Sequence, residues 1–220
     1  NDSKIKCNYE KELEFYHRPA TVVGGDFYYA HKIDDKRVAF IIADVMGHGI
    51  VANYMVAMIK GAFKTLCYQY KTPGEIATHL NKILYDEFDK MGVFDTERNI
   101  LSVSNAGHYS PIIIDDNGEL VESLNCKKGI PIGVLPDGEY HSNTFSIENY
   151  PMVFMFTDGT LEIKNQYKEE FGLDRLKNFV KSNYKNNKNK IVENLKKETE
   201  KFTGNDNFDD DILILMLKNI

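Results

Sequence analysis

At 220 residues and 25.3 kDa, the chain is long enough to bury a sizeable core, in one large domain or two small ones. Hydrophobic residues at 42% and charged residues at 27% exclude a disordered chain. No stretch approaches the roughly 20 apolar residues of a membrane span, and the polar opening Asn1-Asp2-Ser3-Lys4 lacks the pattern of a signal peptide. A net charge of −6 argues against nucleic acid as the main partner, and Cys7, Cys67 and Cys126, odd in number and without metal spacing, predict reduced thiols in a cytoplasmic protein.

In chain order, alternation predicts strands over Glu12 to Tyr16 and Phe27 to Ala30, then a buried strand from Arg37 that ends on Asp44 and is broken by Gly47-His48-Gly49. Val51, Met55, Met58, Ala62 and Leu66 recur at helical steps and predict a helix whose methionines and aromatics are core. Thr72-Pro73-Gly74-Glu75 has the form of a capping box with proline at the first helical position, and the next helix carries Ile76, Leu80, Ile83 and Leu84. Strands are then predicted over Ile100 to Asn105, Ile112 to Asp115, Thr144 to Ile147 and Met152 to Thr157, with Asp116-Asn117-Gly118 as a hairpin turn. A helical zone begins near Gly172 with Leu173, Leu176, Phe179 and Val180. Ser182 to Lys190 reads as a solvated loop, a basic phosphate patch being the lesser reading. A last helix around Ile191, Leu195 and Phe202 leads to a terminal strand, Ile212 to Leu217. Runs of strands followed by runs of helices predict an α+β fold in one domain, residues 1–220, rather than a doubly wound sheet.

Carboxylates stand at strand ends. Asp26 follows Gly24-Gly25, Asp44 closes its strand, Asp158 precedes Gly159, and Asp209-Asp210-Asp211 precedes the last strand. Each alone reads as an ordinary Asp-Gly turn. Together they form an acidic cluster, and two carboxylates about 4 Å apart repel by roughly 1 kcal/mol in water and several times that near protein. Such a cluster calls for a cation, and hard oxygen ligands suit Mg²⁺ or Mn²⁺. Paired metals of this kind activate water and neutralise phosphoryl oxygens, so no protein nucleophile is needed. No convincing Ser-His-Asp set or catalytic cysteine is present.

Six motifs occur in order: Pro19 to Tyr28, Ala43 to Gly49, Asn105 to Pro111, Gly129 to Gly133, Phe156 to Gly159, and Asp210 to Ile212. In this order they resemble the sporulation-protein-E-like branch of the metal-dependent (PPM, or type 2C) protein phosphatases, over nearly the whole chain. The resemblance implies a four-layer αββα sandwich of two antiparallel sheets, with two Mn²⁺ or Mg²⁺ ions in a cleft at one end. It implies Asp44 as the bridging ligand, completed by the backbone carbonyl of Val45, with Asp26 on the second metal and Asp158 and Asp210 on the first. Asp209 is the fallback for Asp210. Asp44 and Asp26 are the catalytic candidates. His48 is a candidate for a role toward the ligands or the phosphate, and His108 reads as structural.

The chain departs from the branch at Tyr29, where an acidic residue is common, at Met46 for serine, and at Leu213 for threonine. Between the second helix and Asn105 the branch has two strands joined by a hairpin. Here there is room for barely one and a half, as though about ten residues were absent between Met91 and Val93.

The activity implied is a protein serine/threonine phosphatase acting on a phosphorylated anti-anti-sigma factor of the STAS fold, with homodimerisation possible. The chain is expected to be the C-terminal catalytic part of a longer signalling protein with an N-terminal sensor or receiver domain, without nucleic-acid or membrane contact of its own. Two other readings compete. Gly24-Gly25-Asp26-Phe27 resembles a diguanylate cyclase signature but has Phe27 where that family needs Glu. A non-catalytic phosphoprotein-binding module on the same fold is the second.

Overall fold

The computed structural model describes residues 2–6, 11–19, 25–45, 50–84, 90–95, 99–121, 128–135, 137–148, 150–187, 190–204 and 210–219. In chain order the elements are β1 (Asp2–Lys6), β2 (Lys11–Arg18), β3 (Phe27–Lys32), β4 (Arg37–Ala43), α1 (Ile50–Gln69), α2 (Pro73–Leu84), β5 (Lys90–Asp95), β6 (Ile100–Asn105), β7 (Ile112–Ile114), β8 (Leu120–Val121), β9 (Asn143–Ser146), β10 (Met152–Phe156), α3 (Leu173–Asn187), α4 (Ile191–Thr203) and β11 (Ile212–Asn219). A short 3-10 helix, Asp158–Thr160, follows β10.

The strands form two sheets, ordered β1-β2-β11-β10-β7-β8 and β3-β4-β5-β6-β9. Every pairing between the named strands is antiparallel. Side chains alternate across a strand, so each sheet has two faces to bury. Leu13 and Phe15 of β2, Val38, Phe40 and Ile42 of β4, and Leu213, Leu215 and Leu217 of β11 meet between the sheets. The intervening residues face outward. Ala39, Ile41 and Ala43 pack under α1 and α2, and Phe154, Phe156, Ile214 and Met216 pack under α3 and α4. The result is the four-layer αββα sandwich, an α+β fold. Each fully buried Leu, Ile or Phe contributes about 1.5–3 kcal/mol, so three continuous apolar layers supply the main driving force. Among the described residues no helix is long and apolar enough to cross a membrane.

Local signals resolve as their chemistry dictates. Thr72 and Glu75 cap α2 reciprocally: the Glu75 N–H donates to Thr72 Oγ1 at 3.3 Å and the Thr72 N–H to Glu75 Oε2 at 3.1 Å. The β7–β8 turn closes on Asp115, whose Oδ1 accepts the N–H groups of Asn117 and Glu119. Gly118 there takes φ of +73°, the left-handed region.

Four expectations are corrected. On α1 the buried stripe is Ala52, Val56, Ile59, Phe63 and Leu66, rotated by one residue from the predicted one. Met58 and Tyr54 are 47% and 74% exposed. This helix is apolar on several faces, so periodicity alone does not choose which one meets the sheet. On α2, Ile83 is likewise exposed. The stretch from Ser182 is helical as far as Asn187, because α3 keeps its apolar face down and sends Lys181 and Lys185, one turn apart, to Glu119. Finally, the stretch between α2 and Asn105 holds two strands rather than one and a half, since β5, through Met91-Gly92-Val93, pairs in register with both β4 and β6. Two six-residue strands fit, each spanning about 20 Å at roughly 3.3 Å per residue.

Candidate metal centre

Antiparallel pairing decides where the aspartates go. Phe27 pairs with Ala43, so Asp26, just before β3, and Asp44, just after β4, leave the same end of one sheet. Phe156 pairs with Ile214, so Asp158, just after β10, and Asp210-Asp211, just before β11, leave the same end of the other. A buried hydrogen bond joins the two ends: Thr157 Oγ1 donates to Asp26 Oδ2 at 2.6 Å. The same oxygen accepts the Leu213 N–H at 3.2 Å, and the Thr157 N–H donates to the Leu213 carbonyl at 3.0 Å. Thr157 is completely buried and ties β10, β11 and Asp26 into one unit.

The three consecutive aspartates divide their work. Asp211 is buried, and its Oδ2 accepts the Asp26 N–H at 3.1 Å, a second tie between the sheets. Asp210 is exposed, and its Oδ1 accepts the Asp211 N–H at 2.8 Å. Asp209 lies outside the described residues, as does the whole of Met46–Gly49 with His48. Asp158 is half-buried at the start of the 3-10 helix, its Oδ1 accepting the Gly159 N–H at 3.1 Å. Gly159 is required by close approach: a Cβ there would collide with the carbonyl oxygen of Asp211. Val45 is buried, and its N–H donates to the Gly25 carbonyl at 3.3 Å, holding the two motif loops together. His108 is also buried, with its carbonyl accepting from Asn105 Nδ2 at 3.2 Å, which agrees with a structural role.

The electrostatics carry the mark of crowding. Burial pushes the Asp26 carboxyl up to about 9; the Thr157 hydroxyl opposes this, and the charges of Asp44, Asp211 and Asp210 add to it. Partial desolvation of the carboxyl also raises Asp210, although the residue as a whole is exposed; the Asp211 N–H opposes this, and Asp158 and Asp211 contribute further. Among the described residues no three of these groups converge as a finished ligand cage. The donors fit a hard divalent cation in kind: all are oxygens, and their mutual repulsion in a buried site is what such a cation relieves.

Sequence reasoning brought Asp26, Asp44, Asp158 and Asp210 to this end and did not single out Thr157 or Asp211. The signal for both was in view. Each adjoins a proposed ligand in the chain, Thr157 before Asp158 and Asp211 after Asp210.

An αββα sandwich with aspartates gathered at one sheet end has the architecture of a PP2C-type phosphatase domain. The SiaA-PP2C domain of Pseudomonas aeruginosa has TM-score 0.78 at 21% identity, with 94% of this chain and 86% of that one covered. The PP2C domain of SpoIIE from Bacillus subtilis has TM-score 0.78 at 16% identity, covering 96% and 64%. RsbX in complex with magnesium has TM-score 0.71 at 18% identity over 100% of both chains. At such identities these likenesses concern the fold. The family profile described as Stage II sporulation protein E (SpoIIE) matches residues 34–219, and the chain belongs to this family. Similar curated proteins include two from Bacillus subtilis (strain 168). Phosphoserine phosphatase RsbP is 26% identical over 166 residues, 70% of this chain and 41% of that protein. Phosphoserine phosphatase RsbU is 25% identical over 155 residues, 67% of this chain and 46% of that protein. The chain thus spans less than half the length of these relatives.

Proposed function

We propose that this domain is a metal-dependent phosphatase that hydrolyses phosphoserine or phosphothreonine on a protein. The observation that carries the reading is the placement of Asp26, Asp44, Asp158 and Asp210 at one end of the two sheets, in a chain of the SpoIIE family. Asp26, Asp44, Asp158, Asp210 and the carbonyl of Val45 would hold two Mn²⁺ or Mg²⁺ ions, with Asp44 as the shared ligand. Bound there, such ions supply an activated water and neutralise phosphoryl oxygens. The chain's own part is positioning. Thr157 fixes the Asp26 carboxylate through its hydroxyl, and Asp211 fixes the Asp26 backbone. Gly159 lets the Asp158 turn close onto β11.

By analogy with the phosphoserine phosphatases RsbP and RsbU, the substrate is a phosphorylated regulator, in our reading a STAS-domain anti-anti-sigma factor. A cytoplasmic setting, an additional N-terminal sensor or receiver domain and a homodimeric assembly belong to the same reading. Turnover of p-nitrophenyl phosphate with Mn²⁺ tests it. Wild type should be active, and Asp44→Asn should lose at least about a hundredfold in rate, the scale of removing a preorganised electrostatic group. Absence of Mn²⁺-dependent turnover in wild type would instead favour the phosphoprotein-binding module.

A further inference from the structure

An apolar surface lies at the aspartate end of the sandwich. Asn105, the last residue of β6, pairs with Lys90 of β5, and Lys90 pairs with Ile42 of β4, two residues before Asp44. β6 therefore ends level with the strand that delivers Asp44. The loop over residues 128–135 is fixed to that end: Lys128 bridges to Asn105, and the Gly129 N–H donates to the Asn105 carbonyl at 2.8 Å. From β4 across β5 and β6 to Lys128 is three strand spacings of roughly 4.8 Å, so the loop begins about 15 Å from Asp44. In the other sheet Tyr109 stacks on Phe156, two residues before Asp158, with ring centroids 6.1 Å apart. Lys128 Nζ lies 5.9 Å from the Tyr109 ring centroid and brings the two parts together. Tyr109 and, on the loop, Ile130, Val134 and Leu135 are 44–57% exposed.

The loop does not need these side chains to keep its shape. Ile132 is its buried apolar anchor. Asn81, completely buried on α2, accepts the Gly133 N–H on Oδ1 at 2.6 Å and donates from Nδ2 to the Leu135 carbonyl at 3.0 Å. The Tyr140 hydroxyl donates to the Pro131 carbonyl at 3.2 Å. Bracing of this kind holds the exposed groups in place beforehand and lowers the ordering cost of association. Apolar surface presented together in this way marks contact with another protein. Lys128 flanks the surface on one side, and Asp137 and Glu139 follow Leu135 on the other, so neither sign of charge dominates and apolar contact is the selective element. Position selects the occupant. A chain whose phosphorylated residue sits at the aspartates reaches the loop after about 15 Å, which is about four or five residues of extended backbone.

We propose that Tyr109, Ile130, Val134 and Leu135 form a docking surface for an apolar segment of the phosphoprotein substrate, about four or five residues from its phosphorylated residue. The identity of the occupant rests on the phosphatase reading.

The test uses two phosphoserine peptides that differ only in carrying leucine or serine about four and five residues to either side of the phosphoserine. With Mn²⁺, wild type should favour the leucine peptide about tenfold in kcat/KM, the scale of one apolar side chain partly removed from water. That comparison needs no variant to fold. Ile130→Ser combined with Val134→Ser should reduce the preference to about twofold or less, because the apolar contact is gone. Ile83→Ser should keep it. Ile83 is a similarly exposed isoleucine two residues from Asn81, on the opposite side of α2 from the loop. Binding of the fluorescently labelled peptides is followed by anisotropy, and p-nitrophenyl phosphate turnover is run in parallel. Equal turnover of both peptides by wild type, or full preference in the double variant, overturns the docking surface and leaves the phosphatase reading standing. Leucine-dependent binding that the double variant loses, without turnover of either peptide or of p-nitrophenyl phosphate, would uphold the surface and refute the phosphatase reading. In sedimentation, a dimer formed by wild type and not by the double variant would assign the surface to a second copy of this chain and overturn the proposal.

Discussion

Replacing Thr157 by valine tests whether one hydroxyl holds the two sheet ends together. Valine is close in shape but carries no donor or acceptor. The change removes the 2.6 Å bond to Asp26 and the acceptor for the Leu213 N–H at 3.2 Å. A bond to an ionised group contributes about 1.5–3 kcal/mol and a neutral one about 0.5–1.5 kcal/mol, while an orphaned buried donor costs about 1–3 kcal/mol. With the Asp26 carboxyl protonated at neutral pH, as its value of about 9 implies for the metal-free protein, the neutral figure applies. The sum is a loss of about 2–4 kcal/mol without metal. For a domain of this size each kcal/mol shifts the midpoint by roughly 2–4 °C, so thermal unfolding should move down by roughly 5–15 °C. With metal present the carboxylate is ionised and the larger figure applies, so Mn²⁺ affinity should fall about 10–100-fold, the usual effect of removing a group that orients a ligand. Thr157→Ser keeps the hydroxyl and should recover most of both losses. Calorimetric unfolding and Mn²⁺ titration read the two effects separately. A valine variant that unfolds within about 0.5 kcal/mol of wild type and binds Mn²⁺ equally well refutes the reasoning, since surface-like substitutions fall in that range.

Gly159→Ala should destabilise the domain by about 1–3 kcal/mol, since its Cβ meets the Asp211 carbonyl and the loop must shift; urea unfolding checks this. For metal-free protein, Asp26 sets a pH dependence of known sign. Its folded value is raised from 3.8 to about 9, so the native state binds the extra proton between these limits. Stability from this group is greatest in acid and falls as pH rises from about 4 to about 9. Asp26→Asn should flatten that slope in metal-free denaturation curves, and a slope identical to wild type would refute the assignment. Cys67 is buried with its thiol pushed up to about 12, so at pH 8 its peptide should stay unalkylated until the domain unfolds, as judged by mass spectrometry of iodoacetamide-treated protein. Thr72→Ala removes one half of the α2 capping box and should cost about 1 kcal/mol, measurable by the same urea assay.

Much of this molecule was legible in the sequence because its signals are local. The buried strand from Arg37, the terminal strand Ile212 to Leu217, the Thr72–Glu75 cap and the Asp116-Asn117-Gly118 turn depend on near neighbours and folded as read. The aspartates were recognisable as a set from motif order. Other features could not be read this way. The face of α1 that turns inward depends on what the sheet offers beneath it, since its sequence is apolar on more than one side. Alternation was too brief to mark β1, and β5 needed neighbours on both sides to define it as a complete strand.

The sequence by itself determined which residues can ligate a cation, that each stands at a strand end, and which family the chain resembles. These follow from residue type and spacing along the chain. Only the tertiary structure decided that Asp211 ties down the Asp26 backbone while Asp210 faces solvent beside Asp158, and that Thr157 links one sheet to the other. Partners such as Thr157 and Asp26 stand 131 positions apart in the chain. Their contact exists because two sheets pack face to face with their ends in step, and that alignment is set by burial of the whole apolar interface rather than by any local signal.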